Sequence, residues 1–376
     1  MDSPPPHPPP QPLVCSWLRA NSLAQLRKIL KIKTSRHHAL PHLVCLKYTS
    51  QSKTKSSFKH DRQMIGECRG LILDESNDFK VLSYPYQRFF NFGEPDAAKV
   101  DWSNVFVSEK LDGCLMILYF YDKSWMVSSS GLPDASGLCH HAQKNQTDQT
   151  VGNLFWEIWV NLGYELPDVS KLSDHYCFMC GMLRWRQQIT APIEKDDIVL
   201  HGVRNLTTMK EEFPQRFAQE FEWKCVKFHP ELNSLESVKS AAESLGFTDD
   251  NPEGFVVCDS EFRRIKVKNM RFVMLSKMPS KFQKTHQFDD LKHESSEFLK
   301  HQIRTLIDII RKKAHFGEDE EFISYQKQEN WRWKTLFQEL SSKFDEVCDR
   351  IQNILDGGKD RSSLARSKVR EIIQEM

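Results

Sequence analysis

Short apolar runs, each bounded by turn residues, recur between Gly70 and Val257, and they constrain the fold of this chain more than any other feature. Runs of three to six apolar residues have the length of strands and are too short for typical helices. The pattern therefore predicts strands of antiparallel sheets. The runs occupy residues 71–73, 105–107, 115–120, 125–127, 198–200 and 255–257.

Two helical stretches lie among these runs. Residues 154–162 end at Gly163 and residues 234–245 end at Gly246, and glycine commonly ends a helix because it readily adopts the left-handed conformation. A chain of 376 residues can bury a substantial core. Strands and helices together predict an α+β domain.

The two ends of the chain differ from its middle. Residues 1–12 contain two runs of three prolines, which form neither helices nor sheet ladders, and this predicts a disordered tail. After Thr285 proline disappears and apolar residues recur at spacings of three or four, which predicts an all-helical domain over residues 285–376. The main domain then covers residues 13–284. The helical stripe consists of Leu336, Leu340, Phe344, Val347, Ile351 and Ile354.

The composition argues against several classes of protein. Hydrophobic residues make up 39% and charged residues 27% of the chain, and no apolar run approaches the roughly 18 residues that a membrane helix needs. The ten cysteines lack the dense spacing of a disulfide-stapled scaffold, and the N-terminus lacks the pattern of a signal peptide. We therefore expect reduced thiols and a location in the cytosol or the nucleus.

Positive charge is concentrated near the N-terminus, although the net charge of the chain is only +1. Residues 13–62 carry eleven lysines and arginines and one acid, Asp61. Such a segment attracts phosphates through counterion release, but a solvated basic face or a flexible arm has the same composition. The sequence leaves these alternatives open.

Lys110 is the candidate nucleophile, in the motif Glu109-Lys110-Leu111-Asp112-Gly113. A lysine amine attacks only after losing its proton, and burial together with neighbouring cations lowers its pKa. Lys266 and Lys268 would supply those cations if they share one face of a strand, as residues two apart do. They would also neutralise the charge of a triphosphate. Alternatively, the two lysines are an edge-strand charge pair that discourages aggregation.

The lysine motif gains weight from the elements around it. By composition alone, Lys-x-Asp-Gly arises in about one chain in ten of this length. In this chain Glu67-Cys68-Arg69-Gly70 precedes the motif, and Glu253-Gly254-Phe255-Val256 and Lys266-Val267-Lys268 follow it. Four elements in one order favour a common site.

Glu253 stands at the start of a predicted strand, where a carboxylate on the inner face is costly unless it is paired. Mg²⁺ would pair it, because Mg²⁺ prefers carboxylate and phosphate oxygens. A salt bridge to one of the lysines is the alternative. The sequence does not separate the two, so Glu253 is a candidate metal ligand and a site residue.

Eight segments between Lys47 and Lys268 match, in order, the motifs of one enzyme family. They are Lys47-Tyr48, residues 67–75, residues 88–94, residues 109–113, residues 125–135, Val203-Arg204-Asn205, Glu253-Gly254 and the pair Lys266 and Lys268. In these segments the chain resembles ATP-dependent RNA ligases of the phage RNA ligase 1 type, within the covalent nucleotidyltransferase superfamily. The Arg-Gly-Leu-Ile and Phe-Phe-Asn-x-Gly-Glu elements single out this branch.

The resemblance implies a fold and a reaction. The fold is a nucleotidyltransferase (ATP-grasp-like ligase) domain of antiparallel sheets flanked by helices, followed by the C-terminal helical domain, which would recognise the RNA. In the reaction, Lys110 attacks the α-phosphate of ATP and forms lysyl-AMP. The adenylate then moves to an RNA 5′-phosphate, and an RNA 3′-hydroxyl displaces AMP and joins the strands. Mg²⁺ or Mn²⁺ would assist each step. By family position, ATP would contact Tyr48, Arg69, Arg88, Lys266 and Lys268.

The chain departs from the family pattern at four places. Arg88 stands where the phage enzyme has lysine, and Cys114 replaces the usual serine. Ser128-Ser129-Ser130-Gly131 offers no lysine where the phage enzyme has one. In the middle motif, the position of the nucleoside-binding glutamate falls on Met179 or Gly181, depending on the alignment. A compensating acid such as Glu194 is one alternative, and loss of catalysis is another.

Other functions were weighed against strand joining. The missing glutamate of the middle motif suggests a catalytically impaired RNA-end-binding protein with the same fold. DNA joining and capping are further activities of the superfamily. Cys177 and Cys180 have the spacing of zinc ligands, but no second pair accompanies them, and buried cysteines behaving as small apolar residues are the favoured interpretation. Trp331 and Trp333 could stack on RNA bases but are more typical of a helical core.

Overall fold

The computed structural model describes residues 11–55, 58–139, 149–172, 175–184, 195–245 and 253–269. The chain divides into two units, Met1–Lys277 and Met278–Met376, and all described residues belong to the first. Most of the proline-rich tail and the whole C-terminal helical domain lie outside the described residues, so both stay predictions.

Seven helices and thirteen strands are present in the described residues, together with a short 3₁₀ turn at Glu75–Asn77. The helices are α1 Leu13–Ala20, α2 Leu23–Leu30, α3 Ser50–Lys55, α4 Lys59–Glu67, α5 Val151–Asn161, α6 Gln215–Glu220 and α7 Leu235–Ser244. The strands are β1 Lys33–Arg36, β2 Leu43–Lys47, β3 Arg69–Asp74, β4 Lys80–Ser83, β5 Phe90–Asn91, β6 Val105–Glu109, β7 Cys114–Tyr121, β8 Ser124–Ser129, β9 Tyr176–Leu183, β10 Asp197–Asn205, β11 Glu211–Glu212, β12 Gly254–Asp259 and β13 Arg264–Lys268.

These strands form three sheets. The first sheet has the order β1-β2-β3-β4, the second β11-β10-β9-β7-β8, and the third β5-β13-β12-β6. Within the sheets every pairing is antiparallel except that of β13 with the two-residue strand β5. The architecture is thus an α+β domain of antiparallel sheets, as the sequence predicts.

The first sheet is covered on one face by N-terminal helices. Leu18 and Leu26 from α1 and α2, together with Met64 from α4, pack against Leu71 and Leu73 of β3, and all are buried. The start of α2 is held by a capping box, in which Ser22 and Gln25 satisfy each other's backbone amides. The basic segment is therefore built largely into helices and strands, and most of its described charges, such as those of Arg27 and Lys33, are exposed.

The first and second sheets pack face to face. Ile72 of β3 points away from the N-terminal helices and meets Ile117 and Tyr119 of β7 and Met179 of β9, all fully buried. Because side chains alternate along a strand, the next positions of β9 face the opposite layer. The second sheet is thus buried on both faces, which explains why every residue of β9 is buried.

The other face of the second sheet packs on α5 and α6 through an aromatic cluster. Phe155 and Trp159 of α5 and Phe217 of α6 surround Phe178 of β9, and the ring centroids of Phe178 and Phe217 lie 5.6 Å apart. Such edge-on pairs add to the free energy of burial. The side chain of Thr150 caps α5 by accepting a hydrogen bond from the amide of Asn153.

The third sheet packs against α7 through Val238 and Ala242, which meet Phe255 and Ile265. Ser234 caps this helix. The third sheet carries β6, β12 and β13, whose sequences contain or adjoin most of the candidate site residues.

All six apolar runs lie in strands, and both helical stretches form helices whose bounds differ from the expected ones by at most three residues. In the described part of the chain, no helix combines the length and the apolar character that crossing a membrane requires.

Candidate active site

Lys110 follows the last residue of β6, and backbone hydrogen bonds tie it to the start of β12. Its amide donates to the carbonyl of Gly254 at 2.8 Å, and the amide of Glu253 donates to the carbonyl of Lys110 at 3.0 Å. On the other side of β12, Gly254 pairs with Lys268 of β13. Three neighbouring strands thus bring Lys110, Glu253 and Lys268 together, although they are far apart in the sequence.

Glu253 is buried, and its carboxylate forms ion pairs with the amines of both Lys110 and Lys268. Two cations around one carboxylate leave a net positive charge in a poorly hydrated environment. The salt bridge that the sequence offered as an alternative is therefore present, and it involves two lysines. The role of Glu253 as a metal ligand stays a prediction.

The environment of Lys110 lowers the pKa of its amine. Burial is the main cause, and the positive charge of Lys268 acts in the same direction, while the carboxylate of Glu253 opposes it. A lowered pKa increases the fraction of amine that carries a free lone pair near neutral pH. These are the conditions under which the sequence predicts a nucleophilic lysine.

Lys266 faces the same site from β13. Burial lowers the pKa of its amine to about 8, and the charges of Arg69, Lys110 and Lys268 contribute. The amine lies 4.6 Å from the centroid of the Phe89 ring. Among the described residues no carboxylate lies within ion-pair distance of Lys266. Its charge is consequently available to an anion.

Arg69 reaches the site from β3, in the first sheet. Its guanidinium lies 5.4 Å from the centroid of the Phe89 ring and forms a hydrogen bond with Tyr48. Burial lowers its pKa, and the Nη1 atom is buried without a hydrogen-bond partner among the described residues. A buried guanidinium nitrogen in this state is costly unless a ligand oxygen accepts from it.

Arg88 completes the set of predicted residues. Its guanidinium lies 4.4 Å from the centroid of the Phe90 ring and 5.5 Å from that of Tyr48. The predicted site residues form two groups of contacts, one around Phe89 and Tyr48 and one around Glu253. The first group contains Arg69, Arg88 and Lys266, and the second contains Lys110 and Lys268. The two groups meet at Lys266, because the charges of Lys110 and Lys268 act on its amine. Their individual roles stay predictions.

The sequence analysis missed two features of this region. Phe89 was quoted only as part of a motif, yet its ring lies beside both Arg69 and Lys266. Arg264 lies two residues before Lys266 and pairs with Glu211 at 2.6 Å, and Glu211 also pairs with Arg204 at 2.7 Å. Arg264 could have been found from the sequence, because it lies on the same face of β13 as Lys266 and Lys268, two and four residues further along. Its partner Glu211 could not, because Glu211 lies on β11 in the second sheet.

Comparison with known proteins decides the family. The sequence profile of the RNA ligase family matches residues 67–282, which is more than half of the chain and includes Arg69, Lys110, Glu253 and Lys268.

This chain belongs to the RNA ligase family.

An RNA ligase of Rhodothermus phage RM378 is 30% identical to this family member over 177 residues, which are 40% of this chain and 40% of the phage protein. The chain thus spans less than half the length of that relative. Among solved structures, an archaeal ATP-dependent RNA ligase has a TM-score of 0.43 at 11% identity, covering 94% of this chain and 86% of that one. An RNA ligase of Naegleria gruberi with ATP and Mn has a TM-score of 0.35 at 13% identity, covering 67% and 81%.

The middle motif of this ligase-family chain lies on β9, and the structure separates its two candidate positions. Met179 is fully buried in the apolar layer between the first and second sheets. A Cβ on Gly181, in contrast, would lie 3.1 Å from a methyl carbon of Leu111 and 3.7 Å from the ring of His201. Gly181 therefore faces the segment that carries the candidate nucleophile. The alternative acid Glu194 lies outside the described residues.

We expect Gly181→Glu to raise lysyl-AMP formation if the altered motif limits the first step. A Cβ at Gly181 would lie within 3.4 Å of only the flexible end of Leu111, so the first atom of the new side chain fits after a small shift of that residue. Met179→Glu, by contrast, buries an unpaired charge in an apolar core and should destabilise the protein by about 3 to 5 kcal/mol. Labelling with α-labelled ATP and thermal unfolding measure the two effects. Unchanged or lower labelling in Gly181→Glu would contradict this diagnosis.

The zinc interpretation of Cys177 and Cys180 conflicts with the geometry of β9. Cys177 packs between the first and second sheets, and Cys180 packs toward α5 and α6, so the two thiols point to opposite faces. Burial raises the pKa of Cys177 to about 11 and that of Cys180 to about 12. Within the described ranges, no cluster of three or more His, Cys, Asp or Glu side chains could hold a metal.

Proposed function

We propose that this chain is an ATP-dependent RNA ligase. The observation that carries the proposal is the buried Lys110 amine beside Glu253 and Lys268, in a chain of the RNA ligase family. In the first step the Lys110 nitrogen bonds to the α-phosphorus of ATP, and the bond from that phosphorus to pyrophosphate breaks. The amine loses its proton to solvent, and lysyl-AMP and pyrophosphate result.

In the second and third steps the adenylate moves from Lys110 to an RNA 5′-phosphate, and an RNA 3′-hydroxyl then attacks that phosphate. AMP leaves as a phosphodiester forms. Each step is a displacement at phosphorus, for which positioned positive charge supplies most of the rate. Lys266, Lys268 and Arg69 are the proposed sources of that charge.

The site fits the phosphates of ATP. The Nη1 atom of Arg69 has no hydrogen-bond partner among the described residues, and there Lys266 has no carboxylate within ion-pair distance, so both can bind an anion. Tyr48 and Arg88 lie beside Arg69, and together with Lys266 and Lys268 they are the proposed ATP contacts. The residues therefore suit a nucleoside triphosphate better than an uncharged ligand.

Glu253 is the proposed ligand of Mg²⁺ or Mn²⁺. It is a buried carboxylate within contact distance of the nucleophile, and Mg²⁺ in nucleotide sites commonly uses one or two carboxylates together with substrate phosphates. When bound, the ion would stabilise negative charge on the phosphates. Glu253 would then exchange at least one lysine partner for the ion.

RNA ends with a 5′-phosphate and a 3′-hydroxyl are the proposed partners, and the helical domain predicted over residues 285–376 is proposed to bind them. A location in the cytosol or the nucleus is proposed from the cysteine pattern of the sequence.

A panel of substrates tests the proposed specificity. The protein is incubated with ATP, Mg²⁺ and, in parallel, single-stranded 5′-phosphorylated RNA, nicked duplex RNA and nicked DNA. We expect joined RNA products and, on nicked DNA, at least about tenfold slower joining, a difference of about 1.4 kcal/mol. Equal or faster joining of DNA would overturn the assignment to RNA. A protein that forms lysyl-AMP but joins no strand would restrict the proposed function to its first step, the transfer of AMP from ATP to Lys110.

A further inference from the structure

Lys47, the last residue of β2, sends its amine across to the second sheet. The Nζ atom lies 3.2 Å from the hydroxyl of Ser130, just after β8. A Cβ added to Gly131 would lie 3.1 Å from the same nitrogen, so the amine rests directly on this turn. The absence of a side chain at Gly131 provides the room for Lys47.

The charge of Lys47 is not compensated by protein groups. Lys47 is half-buried, and within the described residues its amine has no carboxylate partner and only the Ser130 hydroxyl as hydrogen-bond acceptor. An ammonium group has three donors, so two remain for other acceptors. A cation held in this way between two sheets has the properties of an anion-binding group.

The turn that receives Lys47 adjoins the candidate active site. A Cβ on Gly70 would lie 3.2 Å from the Cα atom of Ser130, so Gly70 packs closely on the turn. Gly70 follows Arg69, which pairs with Lys47 across the strands of the first sheet. Tyr48, the next residue after Lys47, contacts the Arg69 guanidinium. Lys47 is therefore the strand neighbour of Arg69 and the chain neighbour of Tyr48, and its amine rests on the turn against which Gly70 packs.

We propose that Lys47 is a phosphate-binding residue of this site. The segment Ser128-Ser129-Ser130-Gly131 contains no charged residue, and Lys47 brings an amine to this turn from another strand. The ligand class is a phosphate group, of a nucleoside triphosphate or of a 5′-phosphorylated RNA end. Lysine suits this class because it is a compact point charge. The inference rests on the proposed ligase function.

The substitution Lys47→Ser tests the inference, with Lys33→Ser as its matched control. Lys33 is the direct strand partner of Lys47 on β1, and it is exposed on the outer edge of the same sheet. In the first arm, the rate of lysyl-AMP formation is measured against ATP concentration. In the second arm, joining is measured with pre-adenylated RNA, which does not require ATP.

We expect Lys47→Ser to raise the half-saturating ligand concentration about tenfold to a hundredfold, as expected for one lost hydrogen bond to a charged group. A change in the first arm identifies the triphosphate as the ligand, and a change in the second arm alone identifies the RNA phosphate. Lys33→Ser should stay within about twofold in both arms. Lys47→Ser that matches the native protein in both arms would overturn the inference.

A charge swap separates phosphate binding from a structural role. In the double variant Lys47→Ser with Ser130→Lys, an amine returns to the turn from the opposite side, and we expect at least half of the lost affinity, in free energy, to return. Lys47→Met, which keeps the apolar stem, should show the same loss as Lys47→Ser with unchanged thermal unfolding. Loss of binding only in variants that also unfold earlier, without rescue by Ser130→Lys, would refute the proposal. If the native protein forms no lysyl-AMP, the proposed function itself fails.

Discussion

Lys110→Ala should abolish covalent labelling of the protein by α-labelled ATP. The variant removes the only atom that we propose to bond to the adenylate, and losses of at least about a thousandfold are typical when a nucleophile is removed. Labelling is measured by incubation with α-labelled ATP and Mg²⁺, followed by denaturing electrophoresis, on protein freed of bound AMP. The labelled band should be absent in the variant and present in the native protein.

A nearby lysine provides the control for this experiment. Lys227 also lies next to Glu109, with its amine 3.9 Å from the carboxylate, but its side chain is 69% exposed. Lys227→Ala should label within about twofold of the native protein, because an exposed ion pair contributes little. Equal labelling of Lys110→Ala and the native protein would show that Lys110 is not the nucleophile. A native protein that does not label would favour an RNA-end-binding protein.

The pH dependence of labelling follows from the pKa of Lys110. The reactive form is the neutral amine, so the rate should rise with pH and reach a plateau once the amine has lost its proton. Burial and Lys268 shift the pKa below the ordinary lysine value of 10.5, so the midpoint of this rise should also lie below 10.5. A midpoint at or above 10.5 would contradict the inferred environment of the amine.

Gly254→Ala should both destabilise the protein and abolish labelling. The residue has a φ angle of +143°, and a Cβ would lie 2.3 Å from the carbonyl oxygen of Val267 and 2.7 Å from the Cα atom of Lys268. These contacts are with backbone, which cannot move without separating β12 from β13. Backbone strain and overpacking together should cost about 3 kcal/mol. The carboxylate of Glu253 and the amine of Lys268 would then no longer meet.

Thermal unfolding and labelling measure the two parts of this prediction. A cost of about 3 kcal/mol corresponds to a decrease in Tm of about 10 °C for a domain of this size. Gly66→Ala is the control, because Gly66 lies in α4 and an added Cβ would meet nothing within 4 Å. Alanine is the better helix former, so this variant should be neutral or slightly more stable. Native Tm and labelling in Gly254→Ala would show that β12 tolerates a side chain there.

Much of the fold followed from local patterns. Each apolar run became a strand, because a short continuous apolar run between turn residues reports burial within a few residues of chain. The local patterns did not predict the helices and strands of residues 13–62. Their apolar residues alternate with many lysines and arginines, so no continuous apolar run marks them. α1, α2 and β2 were therefore not predicted, although β2 ends at Lys47 and leads directly into Tyr48.

The sequence by itself identified the candidate chemistry, because Lys110, Glu253, Lys266 and Lys268 belong to short motifs in a recognisable order. Pairing between strands decided what those residues touch. Only the third sheet shows that Glu253 binds two lysines, and only the contact of the first sheet with β8 shows Lys47 on Ser130. Local patterns record which face of a strand is buried. The ion pair between residues 143 positions apart and the hydrogen bond between residues 83 positions apart depend instead on how the strands are ordered in space.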